Sequence, residues 1–288
     1  MTVAIARAVL ERFLTSSESE VLALTGAWGV GKTFAWNAAL KDAALRSQIK
    51  RPQYCYVSLF GLKTINDLRL ALFSKLMDTS IIGKDVTLKV VNEEWLALGK
   101  AQVRGWLARL RPIANAAPKG GATISVAIDT FAPYFVKDAL ICLDDLERTE
   151  INVADVLGLI SELKEERNCK IALLFNFDKL DGKTKYREYK EKVVDYEVVY
   201  APTVAESTSL VFPADLEHRE LVERTVAELE IVNVRVLRRM VHVLNRIAET
   251  TQGMHDDVRQ QALVSGIFLS WVVSGLLRAP LAAAGGIR

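Results

Sequence analysis

A chain of 288 residues with 37 Lys and Arg against 35 Asp and Glu is close to neutral, at a formal charge of +2. Half of it is hydrophobic and a quarter charged, the profile of a packed globular protein, so neither disorder nor a general affinity for nucleic acid is implied. Cys55, Cys142 and Cys169 have no metal-ligand or CxxC spacing and read as small buried hydrophobes in a reducing, cytoplasmic setting, while three scattered His argue against a His-based metal site.

The N-terminal stretch "MTVAIARAVLERFLTSSESE" lacks a long apolar core followed by a small-residue cleavage site, so no secretion signal is expected. Its apolar residues at 3, 5, 9, 10, 13 and 14 predict an amphipathic helix instead. "VLALTG" (21–26) is a short apolar strand that stops at a glycine loop, and helical sequence runs from Lys32 to Arg46. "QYCYVSLFG" (53–61), rich in aromatic and β-branched residues, predicts a second strand. A helix over 64–77 with Thr64 as N-cap follows, then another over 92–110. Pro112, Pro118, Gly120, Gly121 and Pro133 break 112–136 into loop with short elements.

Strands are expected at 139–145, 169–178 and 195–202, with a helix over 153–167. The highly charged 179–194 reads as a solvated helix, in which Arg187 and Lys192 are candidates for touching nucleotide or a partner. Alternation of strand and helix predicts an α/β fold with a mainly parallel sheet covered on both faces. From Thr203 onward the pattern is helical, broken near Pro213 and Gly253. The expected organisation is an α/β core over 1–202 and a helical lid domain over 203–288. "ALVSGIFLSWVVSGLL" (262–277) has sixteen uncharged residues, short of the roughly 20 that span a bilayer. A buried helix or a subunit contact is expected there.

The chemistry concentrates in four places. "GAWGVGKT" fits G-x-x-x-x-G-K-[ST] and stands between a predicted strand and a helix, as a phosphate-binding loop requires. In such a loop, Gly26, Ala27, Trp28, Gly29, Val30 and Gly31 would turn backbone N–H groups toward phosphates. Lys32 would reach the β- and γ-phosphates, the Thr33 hydroxyl would ligate Mg²⁺, and Phe34 closes the segment. Trp28 is unexpected in this position and reads as a packing plug that braces the loop. In "LICLDDLER", Asp144 ends an apolar strand, where it can hold Mg²⁺ through its water shell. Asp145 follows as the candidate base for an attacking water, and Arg148 can pair with Asp145 or reach across a subunit boundary.

The third place is Asn176, at the end of "IALLFNF", a candidate polar group sensing the γ-phosphate if its strand neighbours that of Asp144; Asp178 is the alternative. The fourth is "NVRVLRRMVHVLNRIAE". Leu237, Met240, Val241, Leu244, Ile247 and Ala248 repeat at helical spacing and must face a core, leaving Arg235, Arg239, His242 and Arg246 on the other side. Arg235 or Arg238 is the candidate to reach the γ-phosphate.

Together these residues resemble the KAP family of P-loop NTPases, within the AAA+/STAND-like group. The Trp-containing loop, the "DDLER" box, "LLFNFDKL", "YKEKVVDYEVVYAP" and "VRVLRRMVHVLNRI" carry the resemblance, over roughly 20–250. It implies ATP binding and Mg²⁺-dependent hydrolysis used as a conformational or assembly switch, in relatives many of which act in bacterial defence against phage. It also implies a homo-oligomer or a separate effector partner. The family often carries membrane-spanning hairpins between its first two motifs, and the sequence of 34–138 has none, so a membrane partner is not expected. A nucleic-acid motor or loader is the main alternative; near-neutral charge weighs against it, and the basic stretches at 179–192 and 235–246 keep it open. A P-loop kinase and a nucleotide-dependent scaffold are further alternatives.

Overall fold

The computed structural model describes residues 3–82 and 136–276. The helix expected over 92–110, the broken stretch 112–135 and Leu277 lie outside the described residues. The chain divides into two compact units. Among the described residues, Ala4–Gly26, 32–82 and 136–199 form one, and 200–276 forms the other together with Val3 and Ala27–Gly31.

In the first unit the order is α1 (Val3–Thr15), β1 (Val21–Thr25), α2 (Lys32–Leu45), β2 (Gln53–Ser58), α3 (Ile65–Ser74), β3 (Met77–Asp78), β4 (Ala139–Asp144), α4 (Val153–Glu165), β5 (Lys170–Phe175), α5 (Lys183–Val193) and β6 (Tyr196–Val199). The strands form one sheet in the order β3-β2-β4-β5-β1-β6. Every pairing is parallel except β2 with β3, which is antiparallel. Strands β1, β4 and β5 are buried at every position. Such strands read as continuous apolar runs because helices cover both faces.

Side chains alternate between the faces. Val21, Ala23, Val57, Ile141, Leu143, Ile171 and Leu173 share a core with Leu68 and Leu72 of α3, Val156 and Ile160 of α4 and Tyr186 of α5. On the opposite face the indole N–H of Trp36 in α2 donates to the Tyr54 hydroxyl at 3.1 Å, and the Phe13 ring of α1 lies 6.3 Å from that of Trp36. The result is a three-layer α/β core. Helix α3 starts as expected, with Thr64 and Asp67 exchanging side-chain and backbone hydrogen bonds in a capping box.

Lys170 opens β5 at 1% exposure. Its ammonium donates to the Ser16 carbonyl at 2.8 Å, pairs with Glu20 at 3.2 Å and sits 4.8 Å from the centre of the Phe13 ring. Desolvation pulls its pKa below the usual lysine value. All three cysteines are free and buried, and burial pushes the Cys55 thiol up to about 12 and that of Cys169 to about 11, the signature of inert thiols.

The second unit is helical: α6 (Val204–Ser209), α7 (Arg219–Glu228), α8 (Val234–Thr250) and α9 (Asp256–Leu276). Its core joins Phe212, Val222, Val226, Leu237, Met240, Leu244, Leu263 and Ile267. The face expected for α8 is the one that packs, with Val241 and Ile247 at its edge. Helix α9 differs from a wholly buried helix: Leu263 and Ile267 turn inward while Phe268, Leu269, Trp271 and Val273 are exposed. Among the described residues, no helix is long and apolar enough to cross a membrane.

Candidate nucleotide site

Strand register brings the sequence-predicted acids to one edge. Ser58 of β2 lies opposite Asp144 of β4, Asp144 opposite Leu174 of β5, and Phe175 opposite Thr25 of β1. The residues that leave the sheet next, Gly26, Asp145 and Asn176, therefore emerge together at the carboxyl ends of neighbouring parallel strands. Open α/β sheets bind ligands at this edge.

Asp144 is the hub of the edge and is 5% exposed. Its Oδ2 accepts from the Thr33 hydroxyl at 2.7 Å and from the Tyr56 hydroxyl at 2.8 Å, and its Oδ1 accepts from the Asp145 N–H at 2.9 Å. Desolvation raises its pKa above the ordinary carboxylate range, the Asp145 charge adds to this, and the hydroxyls of Thr33 and Tyr56 oppose it. Burial and the same carboxylate push the Tyr56 hydroxyl far up, so Tyr56 is a neutral donor. Tyr56→Phe removes one of the bonds that lower the Asp144 pKa. The Asp144 carboxyl of the variant should titrate at higher pH than in wild type, read from its carboxyl ¹³C shift across a pH series. An unchanged midpoint would show that Tyr56 has no hold on it.

Asp145 adopts a left-handed conformation, φ 63°, at the start of a 3-10 turn over Leu146–Arg148. Asp tolerates this region better than most residues, because its short polar side chain bonds locally. Its Oδ2 accepts from the Ser58 hydroxyl at 2.9 Å, and its Oδ1 faces the Arg148 guanidinium at 3.5 Å. Within this chain Arg148 is thus paired with Asp145, the first of the two positions expected for it.

Lys32 and Thr33 occupy the first turn of α2, and the Lys32 ammonium, 8% exposed by residue, donates to the Gly26 carbonyl at 2.8 Å. Asn176, 5% exposed, directly follows β5, the strand adjacent to that of Asp144, which is the neighbour relation its candidacy required. Its Oδ1 accepts from the Asp178 N–H at 3.1 Å. Asn176 and Asp178 both line a cavity of about 380 Å³ with Thr25, Gly26, Arg187 and Lys190. Asp178 is exposed. Lys192 is also exposed, near the end of α5, and does not line this cavity.

The loop residues Ala27–Gly31 group with the helical unit. Gly29 and Gly31 take φ of +81° and +100°, left-handed values that favour glycine. Trp28 is not the plug its size suggests: it is 40% exposed, and Val30, at 4%, is the buried side chain of the loop. Phe34 is half-buried on α2. In the helical unit, Arg235, Arg238, Arg239, His242 and Arg246 all lie on the exposed side of α8.

Sequence reasoning missed Tyr56 and Ser58. Their signal is weak but present: two hydroxyl residues, two apart on one strand, on the face that register pairs with Cys142 and Asp144. It missed Asn233 as well, whose amide caps α8 and donates to the Trp28 carbonyl at 3.0 Å. No group of three or more His, Cys, Asp or Glu able to hold a metal on its own exists among the described residues.

A mainly parallel sheet with helices on both faces, a phosphate-loop sequence between its first strand and the next helix, and paired acids closing β4 define a P-loop NTPase. The chain belongs to the KAP family: the profile of the KAP family P-loop domain matches residues 4–259. No curated protein matches the sequence. Among solved structures, it is similar to the Aeropyrum pernix ORC2 protein in ADPNP–ADP complexes, at 14% identity and a TM-score of 0.50, covering 91% of this chain and 66% of that one. It is also similar to the structure of Drosophila ORC bound to DNA, at 12% identity and a TM-score of 0.50, covering 97% of this chain and 63% of that one. The chain thus spans just under two thirds of the length of these relatives, and at such identities the likeness shows the fold alone.

Proposed function

We propose that this chain is a Mg²⁺-dependent ATPase that uses nucleotide as a conformational or assembly switch. The observation that carries the reading is the Thr33 hydroxyl held 2.7 Å from the buried Asp144 carboxylate, one residue from Lys32. A hydroxyl and a carboxylate are hard oxygen ligands of the kind Mg²⁺ takes, so the donor set fits the ion. Bound there, Mg²⁺ would supply positive charge that offsets that of the phosphates. Thr33 and Asp144 would hold it, the backbone of 26–31 would cradle the phosphates, and Lys32 would neutralise the β- and γ-phosphates.

Asp145 orients the attacking water and accepts its proton, with Ser58 fixing the carboxylate. Asn176 donates to the γ-phosphate, and Arg235 or Arg238 reports its presence to the lid. In this reading 1–202 is the catalytic core and 203–288 the lid. The output passes to further copies of the chain or to an effector protein. A role in defence against phage belongs to the proposal on the strength of the family resemblance alone.

A second reading, a nucleic-acid-dependent motor or loader, is favoured by one feature, the exposed arginines along α8. Phosphate release from ATP, with and without Mg²⁺ and with and without DNA or RNA, separates the two when paired with a mass measurement. The expected result is Mg²⁺-dependent turnover, larger particles in ATP, and indifference to nucleic acid. Strong stimulation by DNA or RNA would transfer the reading to the motor, and a chain that neither binds nor cleaves ATP would overturn both.

A further inference from the structure

Asn233 spends its whole amide on two tasks. Its Oδ1 accepts from the N–H groups of Arg235 and Val236 at 3.0 and 3.2 Å, capping α8, and its Nδ2 donates to the Trp28 carbonyl at 3.0 Å. The next N–H along the chain, that of Val234, donates to the Gly29 carbonyl at 2.8 Å. Two successive carbonyls of the loop are therefore fastened to the first turn of α8, whose unpaired N–H groups need acceptors in any case.

A trans peptide is planar, and its carbonyl and N–H point in opposite directions. Fixing the Trp28 carbonyl on α8 turns the Gly29 N–H away from the helix, and fixing the Gly29 carbonyl does the same for the Val30 N–H. Successive N–H groups turned to one side are what an anion-binding nest consists of. The approach also accounts for Gly29, which stands at a position where the G-x-x-x-x-G-K-[ST] pattern accepts any residue. A Cβ there would lie 2.2 Å from Nδ2 and 2.4 Å from Oδ1 of Asn233. Only glycine lets the two segments come this close, and its φ of +81° points the same way.

We propose that Asn233 is a positioning residue for phosphate binding: it holds the Trp28 carbonyl on α8 and thereby sets the direction of the loop's N–H groups. This rests on the reading of 26–33 as a phosphate loop. It makes nucleotide affinity depend on a residue 200 positions from the loop that touches no phosphate itself.

The test is Asn233→Asp in the full chain. The substitution is isosteric and keeps the cap, because a carboxylate oxygen accepts from Arg235 and Val236. It cannot donate to Trp28, and it sets a carboxylate against the carbonyl. Fluorescent ADP affinity should fall about tenfold, the scale of one lost hydrogen bond with its partner left unsatisfied. KM for ATP should rise by a similar factor at unchanged kcat, with a thermal midpoint lowered less than in Asn233→Ala, which loses the cap as well.

Asn233→Ala serves as the structural control, since it loses the cap as well. Wild-type affinity in Asn233→Asp would overturn the proposal, as would a thermal midpoint lowered as far as in Asn233→Ala. Gly29→Ala should weaken ADP binding too, and the double variant Gly29→Ala/Asn233→Asp should be no weaker than the worse single; additive losses would mean that the two residues act independently. Wild type and Lys32→Ala are measured alongside. If wild type binds no nucleotide, the phosphate-loop reading fails; if it binds, Lys32→Ala does not, and Asn233→Asp matches wild type, only the inference about Asn233 fails.

Discussion

Asp145→Asn should lower ATP turnover by about 10²- to 10⁴-fold, the contribution of a positioned general base, while nucleotide affinity stays at the wild-type level. The substitution keeps shape and backbone, because Asn tolerates the left-handed region as well as Asp does. It also keeps an acceptor for the Ser58 hydroxyl, now 2.9 Å from Oδ2. What it removes is the basic oxygen and the charge facing Arg148 at 3.5 Å. Phosphate release measures the first effect and fluorescent ADP titration the second. Equal turnover in the two proteins would defeat the assignment of Asp145 as base.

Lys32→Ala acts one step earlier. The ammonium is largely enclosed and already aimed at the loop, through its bond to the Gly26 carbonyl at 2.8 Å. Hydrogen bonds to a charged group are worth about 1.5–3 kcal/mol each, so losing one contact to phosphate costs on the order of 10- to 100-fold in affinity. The same loss shows in melting: ligand bound to the folded state raises its stability by mass action, so Mg²⁺-ATP should raise the midpoint of wild type and leave that of the variant in place. Unchanged ADP affinity in Lys32→Ala would remove the phosphate-loop reading itself.

What was legible in the sequence follows from how much each element depends on its own residues. β1, β4 and β5 are continuous apolar runs because helices cover them on both sides, so composition alone marks them. Thr64 and Asp67 make a local cap, and local chemistry is readable. β3 is only Met77–Asp78 and runs antiparallel to β2, too short to show any period.

At the site, the acids and the loop announce themselves by motif. Tyr56 and Ser58 do not, since their part depends on which strand lies beside β2 and in what register. Trp28 and Val30 show the limit of reading by size. The larger residue suggested a plug, yet Trp28 is 40% exposed and the smaller Val30 is the one buried. The outward side of α9 could not be foreseen either, because an uncharged run of sixteen residues carries no mark of which half meets solvent.

Lys170 sets a condition on the first helix. A buried ammonium is tolerated only while its partners are in place, and those partners, the Ser16 carbonyl, Glu20 and the Phe13 ring, all lie at or just beyond the end of α1. A shortened protein that began at β1 would keep every motif of the nucleotide site and lose all three partners of this ammonium at once. Helix α1, with Ala6, Leu10, Phe13 and Leu14 buried, is thus part of the packing on which the strand carrying Lys170 depends.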